Sequence, residues 1–411
     1  MRFLVLISVL MFTLYMFRMT VVNKNSSGSF KSEFHERSKV TVFNQSSPNE
    51  GGVRAVAKKN LMFIRTHKCG TSTLVNVFYL FGIRRRLNFV MNSESFDPPD
   101  LEKPLLPPRP GSGYNIQCYH VRFRPKLEHL ILPRHTSLYV SIVRSTVSHF
   151  KSGFTFYGAE KRLQKKYGNL TTDELIEHFL DGQPEPTEYS AKSSPIFNSM
   201  AFDFGWQEFS EENEGSTLQM KIDAFINYLD EEMDYIMITD RMDESLIILK
   251  EYLGWNMIDI VYLKRKVSIM PKVTISDKTI ARILKYQVVD DQIFHHFNAS
   301  FEQHLDRLGR ENVASQVKEF RKMRETFENK CFNKDKIIET RFNSVTWELS
   351  DYGKNINVAC KFLQTHDAEL STIMKQLQLS QDYTVPINKT LLMQDVISRI
   401  QRDYDNNEYT V

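Results

Sequence analysis

The sequence predicts an α/β fold: a central, mainly parallel sheet flanked by helices. Three observations predict it. Short apolar, β-branched runs at residues 61–65, 116–121, 138–143 and 235–239 are too brief for helices and too continuously apolar for half-exposed strands, so they read as buried strands. Between them lie stretches with apolar residues at helical spacing, and strands that alternate with helices pair in parallel through crossovers. At 411 residues, 41% hydrophobic and 25% charged, the chain has ample material for a large core. This composition excludes a wholly disordered chain, a collagen and a small disulfide-stapled scaffold. Lys and Arg total 53 against 50 Asp and Glu, a net charge of +3 that is too weak to make nucleic acid the default partner.

The first segment, residues 1–22, has the composition of a membrane anchor. Residues 3–17 (FLVLISVLMFTLYMF) carry no charge, and continuing through Val22 gives a run of about twenty that spans the hydrocarbon core once Arg18 snorkels to an interface. No A-x-A-like exit follows, so the segment reads as an uncleaved signal anchor in preference to a cleaved signal peptide or a buried helix. Charge bias slightly disfavours an N-in orientation, because Arg18 and Lys24 follow the run while Arg2 precedes it. Sequons at Asn25, Asn44, Asn169, Asn298 and Asn388 argue the other way, for a lumenal body. Cys331 and Cys360 are candidates to pair in such a compartment, with free buried thiols as the alternative for all four cysteines. Residues 23–57, rich in Asn, Ser, Lys and Gly, read as a flexible stem, and the body begins near Lys58.

The strand at 61–65 runs into His67-Lys68-Cys69-Gly70-Thr71-Ser72-Thr73 and then a helix over 72–82, with Leu74, Val75, Phe78 and Phe81 on one face. A strand, tight polar loop and helix aim backbone N–H groups and a helix N-terminus at one point, which makes an anion site. Gly70 relieves the backbone, the hydroxyls of Thr71, Ser72 and Thr73 donate to phosphate oxygens, and Lys68 supplies a point charge. It is not a Walker A loop, because the Lys precedes the Gly. An ordinary βα turn with a Ser/Thr cap is the competing reading of this segment alone. Six of the 14 prolines then fall between residues 98 and 110, marking an exposed loop. The strand at 138–143 ends in Arg144, with Ser152 eight residues on, so a cationic fork and a hydroxyl can converge on a second phosphate. A helix over 243–253 opens with Asp243 as a cap candidate, and the chain from Glu302 onward is rich in charge and helix formers, hence mostly helical. No internal repeat is visible.

K-[TC]-[AG]-x-[ST]-[ST] on a strand–loop–helix, followed by R-x7-S after a later strand, resembles the sulfotransferases that use 3′-phosphoadenosine 5′-phosphosulfate (PAPS). More closely, THKCGTSTLVNVFYLFG, CYHVRF, FNSMAFDFG and ITDRMDESLIILKEYLGW…DIVYLK are similar to blocks of the Golgi galactose 3-O-sulfotransferases, a family that includes the galactosylceramide sulfotransferase. The matching blocks run in the right order from about residue 60 to about residue 305. The resemblance implies a P-loop-like sulfotransferase fold over 58–365, a C-terminal helical extension over 366–411, and a single-pass type II Golgi membrane protein with a lumenal catalytic domain. It implies transfer of a sulfuryl group from PAPS to a hydroxyl, the 3-OH, of a terminal galactose on a glycolipid or glycoprotein.

Residue by residue, the resemblance gives Lys68 to the bridging and sulfuryl oxygens, and Cys69, Gly70, Thr71, Ser72 and Thr73 to the 5′-phosphosulfate. Arg144 and Ser152 go to the 3′-phosphate. One departure stands out: related sequences often carry Pro two residues after the Arg, where this chain has Thr146. His120, in the family's H-x-R-F block, is the candidate base for the acceptor hydroxyl, since imidazole titrates near neutrality. His67 is the competing histidine. Asp203 binds acceptor or closes a turn, and Phe150, Phe154, Phe156 and Tyr157 either stack on adenine or sugar or fill the core. No metal is expected, since sulfuryl transfer does not require one and no Cys/His ligand spacing is present. The rival readings are a nucleotide-dependent kinase or NTPase, against which stand the missing Walker A loop and the lack of a clear Mg²⁺ carboxylate beside it, and a catalytically inactive glycan-binding protein of the same fold.

Overall fold

The computed structural model describes residues 57–92, 104–184, 196–213, 215–263, 274–340, 344–350, 360, 363–365 and 367–379. The anchor and stem segments, the first part of the proline-rich loop and the sequons at Asn25, Asn44 and Asn388 lie outside the described residues. In chain order the elements are β1 (Leu61–Ile64), α1 (Thr71–Arg85), β2 (Ile116–Gln117), α2 (Pro125–Ile131) and β3 (Leu138–Val143). Then come α3 (Thr146–Phe156), α4 (Ala159–Tyr167), α5 (Thr172–Asp181), α6 (Ser199–Asp203), α7 (Trp206–Glu212), α8 (Leu218–Glu232) and β4 (Tyr235–Ile238). The chain closes with α9 (Met242–Leu253), α10 (Asp277–Tyr286), α11 (Val288–Leu308), α12 (Arg310–Cys331), β5 (Phe332–Thr340), β6 (Ser344–Leu349) and α13 (Asp367–Leu379).

The four apolar runs are the four strands of a parallel sheet, ordered β2-β1-β3-β4. Leu61 lies opposite both Ile116 and Leu138, and Val143 opposite Ile238. Every residue of β1, β3 and β4 is buried, as expected of a sheet covered on both faces. One strand is shorter than its run of apolar residues. The ladder of β2 stops at Gln117, whose side-chain oxygen accepts from the Tyr119 N–H at 2.8 Å and turns the chain away from the sheet. Residues 118–123 are thereby delivered to the end of the sheet rather than its middle.

Two apolar clusters hold the helices. The larger surrounds the sheet, and within it Phe81 of α1 stacks on Trp255 with ring centroids 3.6 Å apart. In the smaller one, Phe150 and Phe154 of α3 pack with Leu175, Ile176 and Leu180 of α5 and Ile283 of α10. Those two aromatics are therefore core, whereas Phe156 is 45% exposed. Asp243 lies inside the first turn of α9 and caps nothing; it accepts from Arg321 Nε at 2.7 Å, an Arg324 N–H at 2.6 Å and the Tyr262 hydroxyl at 2.7 Å, tying α9 to α12.

The C-terminal part is helical through α12 and again in α13, with an antiparallel β5–β6 hairpin between them that its charge-rich composition does not announce. A disulfide joins Cys331, at the end of α12, to Cys360, while Cys69 and Cys118 are free and buried. Helix α13 packs against α1. Ser371 Oγ lies 2.6 Å from the Tyr119 hydroxyl, and the Gln378 side chain accepts from Phe89 N–H at 2.9 Å and donates to Phe89 O at 3.1 Å.

Candidate active site

From β1 the chain passes to β2 on one side, and β3 lies on the other. The order of the sheet therefore reverses between β1 and β3, and the crevice outside their carboxyl ends is where open α/β sheets take ligands. The loops that follow these two strands carry Lys68 and Arg144. Hydroxyls pin the crevice: the buried Ser141 donates to Ile64 O at 2.7 Å and the buried Thr66 to Ile142 O, and Thr239 Oγ1, half-buried, sits 2.8 Å from Cys69 O and 3.0 Å from Val143 O. Lys68 and Gly70 both adopt left-handed conformations, with φ of 60° and 73°, which folds the loop tightly enough to start α1 at Thr71.

The N-terminus of α1 has no side-chain cap and no acidic residue in its first turn, which leaves its positive dipole end for an anion. The same holds for α3, which starts directly after Arg144 and Ser145. Arg144 donates an N–H to Lys68 O at 3.1 Å, joining the two predicted phosphate loops, and its buried Nε has no partner among the described residues. The loop lacking the family's Pro is held by other means: Ser145 N–H donates to Asp240 at 3.1 Å, and the Thr146 hydroxyl to Asp291 at 2.7 Å. Lys68 Nζ lies 3.4 Å from the centroid of the Phe156 ring. Thr73 N–H turns back to Gly70 O at 3.1 Å. The Cys69 thiol faces the core, where burial pushes its pKa well up, so Cys69 meets the crevice through its backbone. Ser152 lies half-buried on the second turn of α3, and no hydrogen bond joins it to Arg144 among the described residues. Arg65 is a cation that the sequence pattern hid as a strand end; its guanidinium donates to Thr71 Oγ1 and Ser72 Oγ, both at 3.3 Å.

Beside this crevice the two candidate histidines meet. The rings of His67 and His120 stack with centroids 4.1 Å apart. Asp203, the last residue of α6, accepts from His67 N–H at 2.6 Å and lies 2.8 Å from His67 Nδ1; His120 Nδ1 lies 3.0 Å from Arg65 O. Carboxylates and carbonyls only accept, so each Nδ1 donates in these contacts and carries the ring proton whenever the imidazole is neutral. Burial pushes the Asp203 carboxyl up, and its bonds to His67 pull it part of the way back. Asp203 O in turn accepts from Phe123 N–H at 2.9 Å, tying the 118–123 segment to α6.

A further histidine supports the site from below. His149 of α3 is buried, and its Nε2–H donates to His67 O at 3.0 Å. Burial holds its pKa down at about 4, so it is neutral at physiological pH. Asp290 of α11 accepts from Ala201 N–H at 2.8 Å and Met200 N–H at 3.2 Å, which positions α6, and burial pushes this carboxyl up to about 7. A cavity of about 320 Å³ opens at the histidines, and its lining includes His67, His120, Arg122, Arg124, Asp203 and Glu208. Among the described residues no three His, Cys, Asp or Glu side chains cluster as metal ligands. The arrangement can hold two anionic groups in the crevice and take a proton from a hydroxyl in the adjoining cavity.

A family model described as galactose-3-O-sulfotransferase matches residues 1–375. The chain is 27% identical to mouse galactosylceramide sulfotransferase over 287 residues, which cover 67% of this chain and 64% of that protein. It is 26% identical to human galactose-3-O-sulfotransferase 3 over 305 residues, 71% of this chain and 67% of the relative. Mouse galactose-3-O-sulfotransferase 2 is 25% identical over 274 residues, 64% of this chain and 67% of that protein. The alignment thus spans slightly less than two thirds of the mouse galactosylceramide enzyme. The order of motifs, the parallel sheet and a match across most of the length agree: this chain belongs to the galactose-3-O-sulfotransferase family.

Proposed function

We propose that this chain is a carbohydrate sulfotransferase that moves the sulfuryl group of PAPS to a hydroxyl, the 3-OH, of a terminal galactose on a glycolipid or glycoprotein. One observation carries the reading. Arg144 is hydrogen-bonded to the Lys68 carbonyl at two helix N-termini without side-chain caps, next to a cavity lined by His67 and His120. The residues fit a donor with two separate phosphate groups: an uncapped α1 for one, and for the other a guanidinium whose buried Nε has no partner among the described residues.

In this reading Lys68 and the amides of Thr71 and Ser72 hold the 5′-phosphosulfate, and Arg144, with Ser152 behind it, holds the 3′-phosphate. The galactose oxygen attacks sulfur in line. As the new S–O bond forms, His67 Nε2 takes the hydroxyl proton; as the S–O bond to phosphate breaks, its electron pair goes to the phosphate oxygen, whose growing charge Lys68 meets. The family resemblance points to His120 as the base. We assign the proton to His67 instead, because Asp203 stands behind its Nδ1 and compensates the charge the ring acquires, whereas His120 Nδ1 has a neutral carbonyl. His120 then stacks against the base and bounds the acceptor site.

A lumenal, Golgi-anchored catalytic domain is part of the proposal. It is supported by the apolar run at residues 3–22, the exposed sequon at Asn169 and the Cys331–Cys360 disulfide, a bond that persists in oxidising compartments. Among the described residues no helix is long and apolar enough to cross a membrane, and the apolar run lies outside them.

The test is transfer of labelled sulfate from PAPS to a panel of galactosides by the full chain in detergent. Lys68→Ala is expected to lower kcat by ~10²–10³-fold, the usual loss when a transition-state charge loses its partner. His67→Ala is expected to lower kcat by ~10²–10⁴-fold with donor-product affinity unchanged. Arg144→Ala should instead raise the donor KM. Donor binding without transfer to any galactoside would overturn the acceptor assignment, and absence of donor binding would overturn the whole reading.

A further inference from the structure

Behind His67 the side chains form a circuit that is bonded at every link but one. Asp203, on α6, holds the N–H and Nδ1 of His67. His149, on α3, donates from Nε2 to the carbonyl of the same residue at 3.0 Å. Asp290, in the first turn of α11, holds α6 by accepting from Ala201 N–H at 2.8 Å and Met200 N–H at 3.2 Å. The remaining link lies between His149 and Asp290. Both side chains are buried, and 3.6 Å separates His149 Nδ1 from Asp290 Oδ2. His149 Nδ1 has no hydrogen-bond partner among the described residues.

This link is short of one proton. A backbone carbonyl only accepts, so His149 Nε2 carries a hydrogen, and the neutral imidazole has a lone pair at Nδ1. An ionised Asp290 offers lone pairs as well. Two buried acceptors would then stand just beyond hydrogen-bond reach with no donor between them, which is costly. A proton on either partner turns the contact into a hydrogen bond after a closure of roughly a few tenths of an ångström. The surroundings decide which partner holds it. Burial disfavours both charged forms, pushing the Asp290 carboxyl up to about 7 and the His149 imidazole down to about 4. The titratable and charged groups that face the pair are Asp203 from α6, Asp291 from α11 itself, and Arg144, His67, Lys68 and the Cys69 thiol from the loops after β1 and β3. The two aspartates act on Asp290 and oppose its ionisation, while the cations act on His149 and oppose a charged imidazole. Both effects place the proton on the carboxyl group.

Resting on the reading of His67 as the base, we propose that Asp290 works as a protonated carboxylic acid whose hydroxyl donates to His149 Nδ1, and that the two together are positioning residues for His67. The closed circuit runs from His67 through His149, Asp290 and α6 to Asp203, and back to His67. Neither Asp290 nor His149 touches the substrate. When Asp290 gives its proton to solvent, a bare carboxylate faces a lone pair, the circuit opens, and both grips on His67 loosen together: the His149 bond to its carbonyl, and the Asp203 bonds carried by α6.

The experiment follows sulfate transfer from PAPS to a galactoside by the full chain in detergent as pH is varied. The native kcat is expected to fall above about pH 7, approaching about tenfold per pH unit, the slope of one ionising group, with the donor KM unmoved. Asp290→Asn has the shape of the protonated acid: its amide oxygen accepts from α6 and its NH₂ donates to His149 Nδ1. This variant should lose the alkaline fall. Asp290→Ala has neither group and should lower kcat about 10²-fold at every pH. His149→Gln keeps a donor for the His67 carbonyl but offers no Nδ1 lone pair, so the acid form loses its acceptor and the alkaline fall should move to lower pH. An Asp290→Asn variant as impaired as Asp290→Ala at about pH 6, or one that keeps the native alkaline fall, would overturn the proposal. A second readout needs no turnover. The infrared difference between about pH 5.5 and about pH 9 should contain the C=O stretch of a buried carboxylic acid in the native chain that is missing from Asp290→Asn, and two identical spectra would equally overturn it. Should the native chain transfer sulfate to no galactoside, the transfer reading fails separately, and the infrared band still decides whether Asp290 holds the proton.

Discussion

His67 is gripped at both polar atoms of its backbone. Asp203 takes its N–H and His149 supplies a donor to its C=O, so the residue before Lys68 cannot rotate without breaking bonds to two helices. Replacing Asp203 by Asn keeps an acceptor for the backbone but removes the charge behind Nδ1. The expected result is a ~10²–10⁴-fold fall in kcat with donor-product affinity intact, measured by single-turnover transfer and equilibrium binding. His149→Leu acts differently: it strands a buried carbonyl, an effect of about 1–3 kcal/mol that thermal unfolding would register as a lower midpoint. Lys68, Gly70 and Arg144 were legible in the sequence because a strand–loop–helix phosphate site needs those residue types at short spacing. The partnership of His67 with Asp203 was not, since 136 residues separate them and only tertiary packing decides which carboxylate arrives. Arg65 was hidden for a simpler reason: at the end of an apolar run, a guanidinium looks like a solvent-facing terminus.

Helix α2 illustrates how an element next to the site is held. Its N-cap, Arg124, has no side-chain cap, and Glu128 reaches back so that both its oxygens accept from Arg124 N–H, at 3.1 and 3.0 Å. Burial pushes the Glu128 carboxyl from about 4.5 up to about 7. A group whose pKa is raised by folding favours the native state at low pH, and this contribution is lost as pH rises through the folded value. Glu128→Gln should therefore flatten the fall in thermal midpoint between pH 5 and pH 8.5 that this group causes, with the variant gaining on the native chain at the alkaline end. The junction of α6 and α7 is equally exacting. Gly205 has φ of 86°, and a Cβ there would stand 2.6 Å from Phe123 O, so Gly205→Ala must shift backbone. We expect a loss of about 1–3 kcal/mol or more in stability, together with weakened acceptor use, because Asp203 and Glu208 flank this turn. Helix α1 and strand β3 were readable to within a few residues because each combines a strong period with clear ends. The 116–121 strand was over-read, because its apolar residues continue past the point where Gln117 ends the pairing.

Across the whole molecule, the sheet class followed from apolar runs alternating with helices, but the order β2-β1-β3-β4 did not, because periodicity is silent about neighbours. The β5–β6 hairpin was likewise unreadable amid charged residues that favour helix. The disulfide that follows α12 closes a loop with a sequence separation of 29, for which chain entropy alone gives about 3–4 kcal/mol. Cys331→Ser with Cys360→Ser should lower the thermal midpoint measured without reductant, and reductant should lower that of the native chain and leave the double variant unmoved. The last consequence lies at the rim of the sheet. Gln378 supplies Phe89 with one donor and one acceptor, the pair of bonds that another strand would make there. A single amide thus satisfies a stretch of backbone that would otherwise lie at the rim with its polar groups unpaired. Forms shortened before α13 are expected to retain much of the crevice yet clump together through this rim, so that light scattering, not loss of secondary structure, is the first sign of the missing helix.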